Sequence, residues 1–285
     1  MKLSVLGCGR WGAFIAWYLD RLGHEVALYG REQSWRMAQL RSTRKNDLLE
    51  LPERVELTSD LTHAVQRAQW VVISVGVQSF RGLAQELGPV PCAIWVGPGH
   101  VQDFTRGIPN CMVIDSADEA LKRALVDAFS SELIRFYYGS DLIGNEIGAA
   151  AKNVIGIAAG MLDGYHLTSL KGALMARGTR EIGRLIQALG GQEHTAFGLS
   201  HLGDYEATVF SPHSHNRAFG EAFARREPYT QLAEGAATTR ALCRLAEQCG
   251  VELPICRAVE DILYNGCDPK QAMDALFARD LKREF

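Results

Sequence analysis

The segment "KLSVLGCGRWG" at positions 2–12 places a short apolar run directly in front of three closely spaced glycines. Residues 2–7 have the composition of a buried β-strand, and the apolar positions from about Trp11 to Leu22 predict a helix after the turn. A strand that leads through a glycine-rich turn into a helix is typical of a dinucleotide-binding βαβ unit. The segment therefore predicts an N-terminal Rossmann-like domain.

The three glycines have the G-x-G-x-x-G spacing, in which each position has a physical role. Gly7 permits the tight turn, Gly9 lets the backbone approach a pyrophosphate, and Gly12 lets the helix lie against the strand. The unpaired N–H groups at the start of the helix can then bind the anion. Together with Arg10 and Trp11, these residues form the predicted cofactor-binding turn. The alternative is a glycine-rich turn that binds nothing.

The second predicted strand, "HEVALYG" at 24–30, ends where an NAD-selective site usually presents a carboxylate to the ribose 2′-hydroxyl. This chain has Gly30 there, followed by Arg31 and Glu32. An arginine can bind the 2′-phosphate of NADP, and Arg36 is near enough in sequence to assist. We therefore predict NAD or NADP as the cofactor, with Arg31 favouring acceptance of NADP. A solvated loop charge is the alternative for Arg31.

Further apolar strands alternate with helical segments, at "WVVISV" (70–75), "CAIWVG" (92–97) and "CMVID" (111–115). This alternation predicts βαβ units and a parallel sheet covered on both faces. After "LIRFYYGS" (133–140) the pattern changes to helical periods. The predicted fold is an α/β dinucleotide-binding domain at 1–138 followed by an all-α substrate and catalytic domain at 139–285.

Composition limits the class of protein. The 285 residues, with 30 basic and 33 acidic side chains, carry a net charge of −3, which removes any general argument for nucleic-acid binding. Seven scattered cysteines without a C-x-x-C pair disfavour a disulfide framework and a zinc cage. The absence of a membrane-spanning apolar run and of a signal-peptide pattern predicts a cytoplasmic protein. The mixed charges of "RDLKREF" (279–285) predict a solvated helix face.

The segment "LIGNEIGAAAKNVIGIAAGMLDG" at 142–164 has a glycine at every fourth residue from 144 onward, except that Lys152 fills one of these positions. The spacing keeps these positions near one face of an α-helix, where a second helix or a ligand can approach closely. A buried lysine on such a face needs a partner. The alternative is tight core packing with Lys152 reaching out to solvent.

Several motifs resemble the NAD(P)-dependent glycerol-3-phosphate dehydrogenases of bacterial type. They are "GCGRWGAFIA", "GHEVALYGR", "GAAAKNVIGIAAGMLDG", "ALMARGTREIGRL", "FGLSHLGDYEAT", "SHNRAFG", "AEGAATTRA" and "VELPICRAV", and those of the helical half follow the family's order. The resemblance implies a 6-phosphogluconate dehydrogenase-like fold and interconversion of dihydroxyacetone phosphate and sn-glycerol 3-phosphate. A small phosphorylated substrate is the implied partner, and a homodimer is a reasonable expectation for such enzymes.

The resemblance also implies the residues that carry the chemistry. Lys152 in "AKN" matches the lysine that donates or accepts the proton at the reacting carbonyl, with Asn153 beside it. Asp204 in "LGD" matches the aspartate that pairs with this lysine, and Thr208 matches a nearby pocket threonine. Hydride transfer to a ketone leaves negative charge on oxygen, so a proton donor is needed within hydrogen-bond reach.

The segment "SHNR" carries the implied phosphate contacts. Asn216 and Arg217 match the end of the family's S-R-N-R segment, whereas His215 replaces its first arginine. A neutral imidazole holds a phosphate less firmly than a guanidinium does. Glu234 matches the cofactor-side "EG" pair. His213 and His215 do not share a helix face and have no cluster of cysteine or carboxylate partners, so we predict no metal site.

A second departure is the absence of any lysine between Lys45 and Lys122, where the family has an active-site lysine. The stretch "VGPGHVQDFTRGIPNCMVIDS" joins directly to a later family segment, which predicts the loss of that charge and of a strand with its helix. Two alternative functions follow. The first is a related reductase that acts on another small substrate, and the second is a cofactor-binding sensor with weak catalysis.

Overall fold

The computed structural model describes residues 1–278, so the predicted solvated segment at 279–285 lies outside the described residues. The chain divides into two compact units. The first comprises Met1–Pro91, His100–Asn110 and Asp127–Arg135, and the second comprises Cys92–Gly99, Cys111–Val126 and the chain from Phe136 onward. Because each unit draws on several stretches of chain, a single boundary between residues 138 and 139 stays a prediction.

A parallel sheet forms the centre of the first unit. Its strands are β1 (Lys2–Leu6), β2 (Glu25–Tyr29), β3 (Glu56–Thr58) and β4 (Trp70–Ile73), in the order β3-β2-β1-β4. The helices along this part of the chain are α1 (Arg10–Arg21), α2 (Trp35–Thr43), α3 (Leu61–Gln66), α4 (Val77–Leu87) and α5 (Val101–Thr105). The apolar side chains of β1 and β2 are buried, as expected for a sheet covered on both faces. The predicted strand, turn, helix and parallel pairing are confirmed.

A second sheet contains β5 (Ile94–Val96), β6 (Asn110–Asp115) and β7 (Ile134–Tyr138), with α6 (Glu119–Phe129) between β6 and β7 in the chain. The expectation of a parallel arrangement is wrong here, because β5 pairs antiparallel with β6. The connection between these strands contains only the five-residue α5, with glycine and proline on both sides. It therefore lacks the long covering helix that a parallel crossover normally needs.

The second unit is helical after residue 138, as predicted. Its helices are α7 (Leu142–Gly164), α8 (Lys171–Ala188), α9 (His215–Arg225), α10 (Glu234–Cys249), α11 (Pro254–Tyr264) and α12 (Pro269–Phe277). Apolar side chains of α7, α8, α10 and α11 form a common core. Short 3-10 turns and a π-helical turn, Glu206–Phe210, occupy the chain between α8 and α9. No helix within residues 1–278 is long and apolar enough to cross a membrane.

Helix α7 contains all the positions of the glycine spacing, as predicted, and Asp141 caps its N-terminus. The carboxylate of Asp141 accepts hydrogen bonds from the backbone N–H of Gly144 (3.0 Å) and Gln192 (2.8 Å) and from the Thr195 hydroxyl (2.6 Å). Burial opposes ionisation of Asp141, but these hydrogen bonds outweigh it and lower the pKa of the carboxyl. The cap therefore also anchors the chain that follows α8.

The glycine face of α7 is covered by α9 and by the segment that precedes it. A Cβ atom at Gly160 would collide with the backbone carbonyl of Arg217, and one at Gly164 would lie 2.6 Å from the Cβ of Ala224. The contact is reciprocal, since a Cβ at Gly220 of α9 would collide with the carbonyl of Ile157. The predicted close approach of a second helix is thus present, and it brings the two backbones into direct contact.

The contact between α7 and α9 predicts opposite effects for two glycine-to-alanine substitutions. We expect Gly160→Ala to lower the free energy of unfolding by about 2–3 kcal/mol, because the added methyl meets backbone that must move. Gly172→Ala is the matched control on α8, since among the described residues no heavy atom lies within 4 Å of the added Cβ. It should stabilise the protein by about 0.5–1 kcal/mol through helix propensity. Denaturant unfolding followed by circular dichroism measures both, and two equal shifts would contradict the packing argument.

Candidate active site

Lys152 and Asp204 form an ion pair in the second unit. Lys152 extends from the glycine face of α7, and its ammonium nitrogen contacts Oδ2 of Asp204. The lysine side chain is 22% exposed, whereas the aspartate side chain is only 3% exposed. Lys152 therefore keeps one accessible side while its partner is enclosed. The structure brings together the two residues that the resemblance pairs.

The burial of Asp204 changes its ionisation. Desolvation raises the pKa of the carboxyl to about 6, and the positive charge of Lys152 acts in the opposite direction. The carboxyl is consequently ionised near neutral pH and loses its charge in mildly acidic solution. A carboxylate with a raised pKa beside an accessible amine is an arrangement that suits proton transfer.

A buried histidine, which the sequence analysis did not identify, anchors the chain just before Asp204. His201 Nδ1 lies 2.9 Å from the Gly148 carbonyl and His201 Nε2 lies 2.7 Å from the Tyr205 hydroxyl. Because a carbonyl only accepts, Nδ1 carries the proton and Nε2 accepts from Tyr205. Burial, followed by the nearby charge of Lys152, lowers the pKa of His201 to about 4, so the ring is neutral. The spacing of four residues between His201 and Tyr205 was the signal in the sequence that could have indicated this contact.

Asn153 belongs to a chain of hydrogen bonds that joins three helices. Asn216, in the first turn of α9, donates from Nδ2 to Oδ1 of Asn153 over 3.0 Å. Its own Oδ1 accepts from the backbone N–H of Gly235 over 2.9 Å. Gly235 and Glu234 form the start of α10, and a Cβ at Gly235 would lie 2.6 Å from the Asn153 carbonyl. The helix starts of α9 and α10 therefore meet α7 one residue after Lys152.

Thr208 lies buried on the π-helical turn Glu206–Phe210. A Cβ at Gly156 would be only 2.8 Å from its methyl group, so the glycine provides the space for Thr208 beside α7. Gly156 is one helical turn after Lys152. The structure thus places Thr208 next to the same face of α7 that carries the lysine.

His215 is the first residue of α9 and contacts Tyr229. The Tyr229 hydroxyl donates to the His215 carbonyl over 3.0 Å, and its oxygen lies 3.2 Å from His215 Nδ1. The neighbouring Asn216 connects this helix start to Asn153. His213 remains apart from a metal-binding arrangement, since within residues 1–278 no three His, Cys, Asp or Glu side chains are grouped to hold a metal ion.

The Arg217 side chain binds groups within the second unit. Its guanidinium donates to Asp163 Oδ2 (2.6 Å), to Glu221 Oε2 (3.2 Å) and to the Ser211 carbonyl (3.1 Å). Asp163 follows Lys152 by eleven residues in α7, which is about 16 Å along the helix axis. Three of the five N–H groups of Arg217 are thus bound within the second unit, and its contact with substrate phosphate stays a prediction.

The glycine turn of the first unit fits a dinucleotide. Gly7 has φ of +119°, and a Cβ there would collide with the Ser74 carbonyl, so only glycine is suitable. A Cβ at Gly12 would collide with the carbonyl of Gly7. By contrast, among the described residues no heavy atom lies within 4 Å of a Cβ at Gly9, directly before α1. The backbone is thus open on the side where a pyrophosphate would approach the helix N-terminus.

Trp11 packs within the protein, next to Arg10 at the start of α1. Its ring makes edge contacts with Phe14 and Phe104, at centroid distances of 5.7 and 6.3 Å. These contacts give the aromatic residue in the predicted cofactor turn a packing role that does not require a ligand. The Trp11 ring is partly buried, and a contact of this residue with the cofactor stays a prediction.

The end of β2 has no room for the usual ribose-binding carboxylate. A Cβ at Gly30 would lie 2.5 Å from Cys8 Sγ and 2.8 Å from Met37 Cε. The next acidic residue, Glu32, binds the Arg41 guanidinium over 2.9 Å, and hydrogen bonds from Ser59 and Arg41 lower its pKa. Arg31 is exposed. Arg31 is therefore the cationic residue nearest in sequence to the end of β2.

Arg36, the predicted assisting cation, has its guanidinium carbon 4.7 Å from the ring centroid of Trp35. Such a cation–π contact holds the guanidinium over the neighbouring ring. This leaves Arg31 as the stronger candidate for binding a 2′-phosphate.

Comparisons with known proteins agree with this geometry. The family model described as NAD-dependent glycerol-3-phosphate dehydrogenase N-terminus matches residues 2–91, and the C-terminus model of the same family matches residues 141–274. A glycerol-3-phosphate dehydrogenase [NAD(P)+] of Deinococcus radiodurans is 39% identical over 99% of this chain and 96% of the relative. One of Bradyrhizobium sp. (strain BTAi1) is 36% identical over 99% of this chain and 98% of the relative.

A solved structure has the same fold over almost the full length. The crystal structure of glycerol-3-phosphate dehydrogenase from Coxiella burnetii has a TM-score of 0.88 and 27% identity, and covers 98% of this chain and 99% of that chain. The alignment with the Deinococcus relative spans 316 positions, so at least 31 of them have no counterpart in these 285 residues. Neither family model covers residues 92–140, where the sequence predicts a deletion.

The geometry at the end of β2 predicts the effect of a charge reversal at Arg31. We expect Arg31→Glu to raise KM for NADPH by about 10- to 100-fold, the value of a lost charge-assisted hydrogen bond, and to change KM for NADH little. Arg106→Glu is the control, because it reverses an exposed charge in the same unit outside the glycine turn. Steady-state kinetics with both cofactors measure the ratio. An unchanged NADPH-to-NADH ratio would assign Arg31 to the solvated surface.

Proposed function

The chain belongs to the NAD-dependent glycerol-3-phosphate dehydrogenase family, and from this membership we infer that it is an NAD(P)-dependent oxidoreductase that interconverts dihydroxyacetone phosphate and sn-glycerol 3-phosphate. The ion pair of Lys152 with the buried Asp204 is the observation that supports this inference from the chain's own residues. Gly7, Gly9 and Gly12 would hold the pyrophosphate of the cofactor. A cytoplasmic location and a homodimeric state stay predictions.

Lys152 is the proposed proton donor and acceptor. When bound, the nicotinamide supplies or accepts the hydride. Reduction of the ketone leaves negative charge on its oxygen, and the Lys152 ammonium stabilises that charge and donates the proton. In the reverse direction the amine accepts the hydroxyl proton. Ionised Asp204 orients the amine and favours the charge on it.

Asn153 and Thr208 are proposed to position the substrate beside Lys152. Asn216 donates a hydrogen bond to Oδ1 of Asn153, and this fixes the orientation of the Asn153 amide. The NH2 group of Asn153 is then the group that would donate to the substrate. Thr208 adds a hydroxyl on the same face of α7. Holding a reactant in the correct orientation provides a large part of enzymatic rate enhancement.

The helix start of α9, with His215, Asn216 and Arg217, is the proposed binding position for the substrate phosphate, and Glu234 at the start of α10 lies on the proposed cofactor side. Helix N-termini favour anions. His215 provides a single imidazole where the family has a guanidinium, so the bidentate hydrogen bonding that a guanidinium offers a phosphate is lost at this position.

This replacement at position 215 favours a second candidate function, reduction of another small ketone or oxidation of a hydroxy acid by the same Lys152 chemistry. A cofactor-binding sensor is a weaker candidate, because a protein without turnover needs no amine paired with an enclosed carboxylate.

The proposed role of Lys152 predicts that the purified protein oxidises NADH or NADPH with dihydroxyacetone phosphate. Lys152→Ala should lower kcat by about 100- to 10,000-fold, the usual contribution of a general acid, while binding of the cofactor is retained. Lys45→Ala, which removes an exposed lysine, is the control with unchanged kcat. Absorbance of the reduced cofactor and fluorescence titration provide the two readouts. Turnover only with unphosphorylated ketones would support the second candidate, and tight cofactor binding without turnover would support a sensor.

The raised pKa of Asp204 predicts the pH dependence. Because the carboxyl is ionised only above about pH 6, we expect kcat to fall as the pH decreases from 7 to 5, when protonation removes the counter-charge of Lys152. In Asp204→Asn this acidic limb should be absent and kcat should be low throughout. Profiles of kcat against pH for both proteins test this expectation, and an acidic limb that persists in the variant would assign the titration to another group.

A further inference from the structure

Asp204 and Thr208 lie on one short segment, residues 204–211, that packs beside α7. The segment contains the π-helical turn Glu206–Phe210, and such turns are rare and frequently occur at functional sites. A π-helical turn leaves carbonyl groups at its end that need partners from outside the turn. The partners of these carbonyls therefore determine where the segment lies on α7.

Two cations bind carbonyls at the end of this segment. Lys171, the first residue of α8, donates from Nζ to the Val209 carbonyl over 3.0 Å. Arg217, in the first turn of α9, donates from Nε to the Ser211 carbonyl over 3.1 Å. The Phe210 ring centroid lies 5.2 Å from the Lys171 ammonium, which adds a cation–π contact to the same turn.

One carboxylate binds both cations. Oδ2 of Asp163, in the last turn of α7, accepts from Lys171 Nζ over 2.7 Å and from Arg217 over 2.6 Å. We call these three residues the Asp163 clamp. Their side chains are only 6%, 10% and 16% exposed for Lys171, Asp163 and Arg217. Removal of this negative charge would leave Arg217 with the Glu221 carboxylate and would place the nearly buried Lys171 beside it without the Asp163 counter-charge, an unfavourable arrangement.

The chain just before the segment is tied to the same helix. His201 Nδ1 donates to the Gly148 carbonyl, one helical turn before Lys152. The Asp163 clamp lies three turns after Lys152, about 16 Å along α7. Because α7 is one continuous helix, the spacing between the two attachment points is constant. Asp204, between them in the chain, is thereby held opposite Lys152.

We propose that Asp163 is a positioning residue for the reaction: through Lys171 and Arg217 it holds segment 204–211 on α7, so that Asp204 reaches Lys152 and Thr208 lies beside Gly156. This role rests on the proposed function, since a positioning residue requires a reaction. It assigns Arg217 to the support of the catalytic pair.

The test replaces Asp163 by Asn, which keeps the size of the side chain and removes its charge. We expect kcat to fall by about 10- to 100-fold, the effect of displacing a catalytic group by about 1 Å, with KM for the cofactor unchanged. Asp163→Glu, which keeps the charge, should recover part of the rate. Glu260→Gln is the matched control. Glu260 is similarly enclosed and pairs with Arg257, and both residues lie on α11 instead of α7.

Hydrogen exchange provides a readout that does not depend on turnover. Amide exchange in residues 204–211 should become faster in Asp163→Asn and remain unchanged in Glu260→Gln, as measured by mass spectrometry. Wild-type kcat in Asp163→Asn, or unchanged exchange in the segment, would overturn the proposal. If the wild-type protein does not reduce dihydroxyacetone phosphate, the proposed function fails, and the exchange measurement still decides whether Asp163 holds the segment.

Discussion

Direct contact between the backbones of α7 and α9 is the constraint on which the second unit depends. Side chains on both surfaces would hold the helices apart, but Gly160 and Gly220 allow each backbone to meet a carbonyl of the other helix. At that distance Asn216 reaches Asn153, and Arg217 reaches Asp163. The small residues therefore do more than fill space: they place the polar groups of α9 within hydrogen-bond reach of the helix that carries Lys152.

Much of this arrangement could be predicted from the spacing of residues along the chain. The glycine repeat predicted a helix here and the close approach of a second helix or a ligand, because helix geometry determines which residues share a face. The partner of the repeat, including Gly220 on α9, could not be predicted from the repeat alone, since packing between distant segments is a tertiary property. The antiparallel pairing of β5 with β6 was missed because two apolar runs of similar composition do not encode their relative direction.

The partners of individual side chains were harder to predict from the sequence than the helices were. A motif indicates that Asn216 and Arg217 are neighbours in sequence, yet consecutive residues of a helix point about 100° apart, and the two side chains bind different partners. His201 was missed because a histidine in an apolar segment has the signature of a core residue, which it also is. Its hydrogen bond to the Gly148 carbonyl depends on a contact 53 residues away in the chain.

Gly30 shows how coenzyme choice and interior packing have become linked in this chain. The position at which an acidic side chain would discriminate against a phosphorylated ribose is enclosed by Cys8 and Met37. A substitution there would first disturb the contact between the glycine turn and α2, and only afterwards alter recognition. A mutational path that places the acidic side chain at position 30 must therefore begin with smaller residues behind the strand, so that the interior constrains the evolution of a preference expressed at the surface.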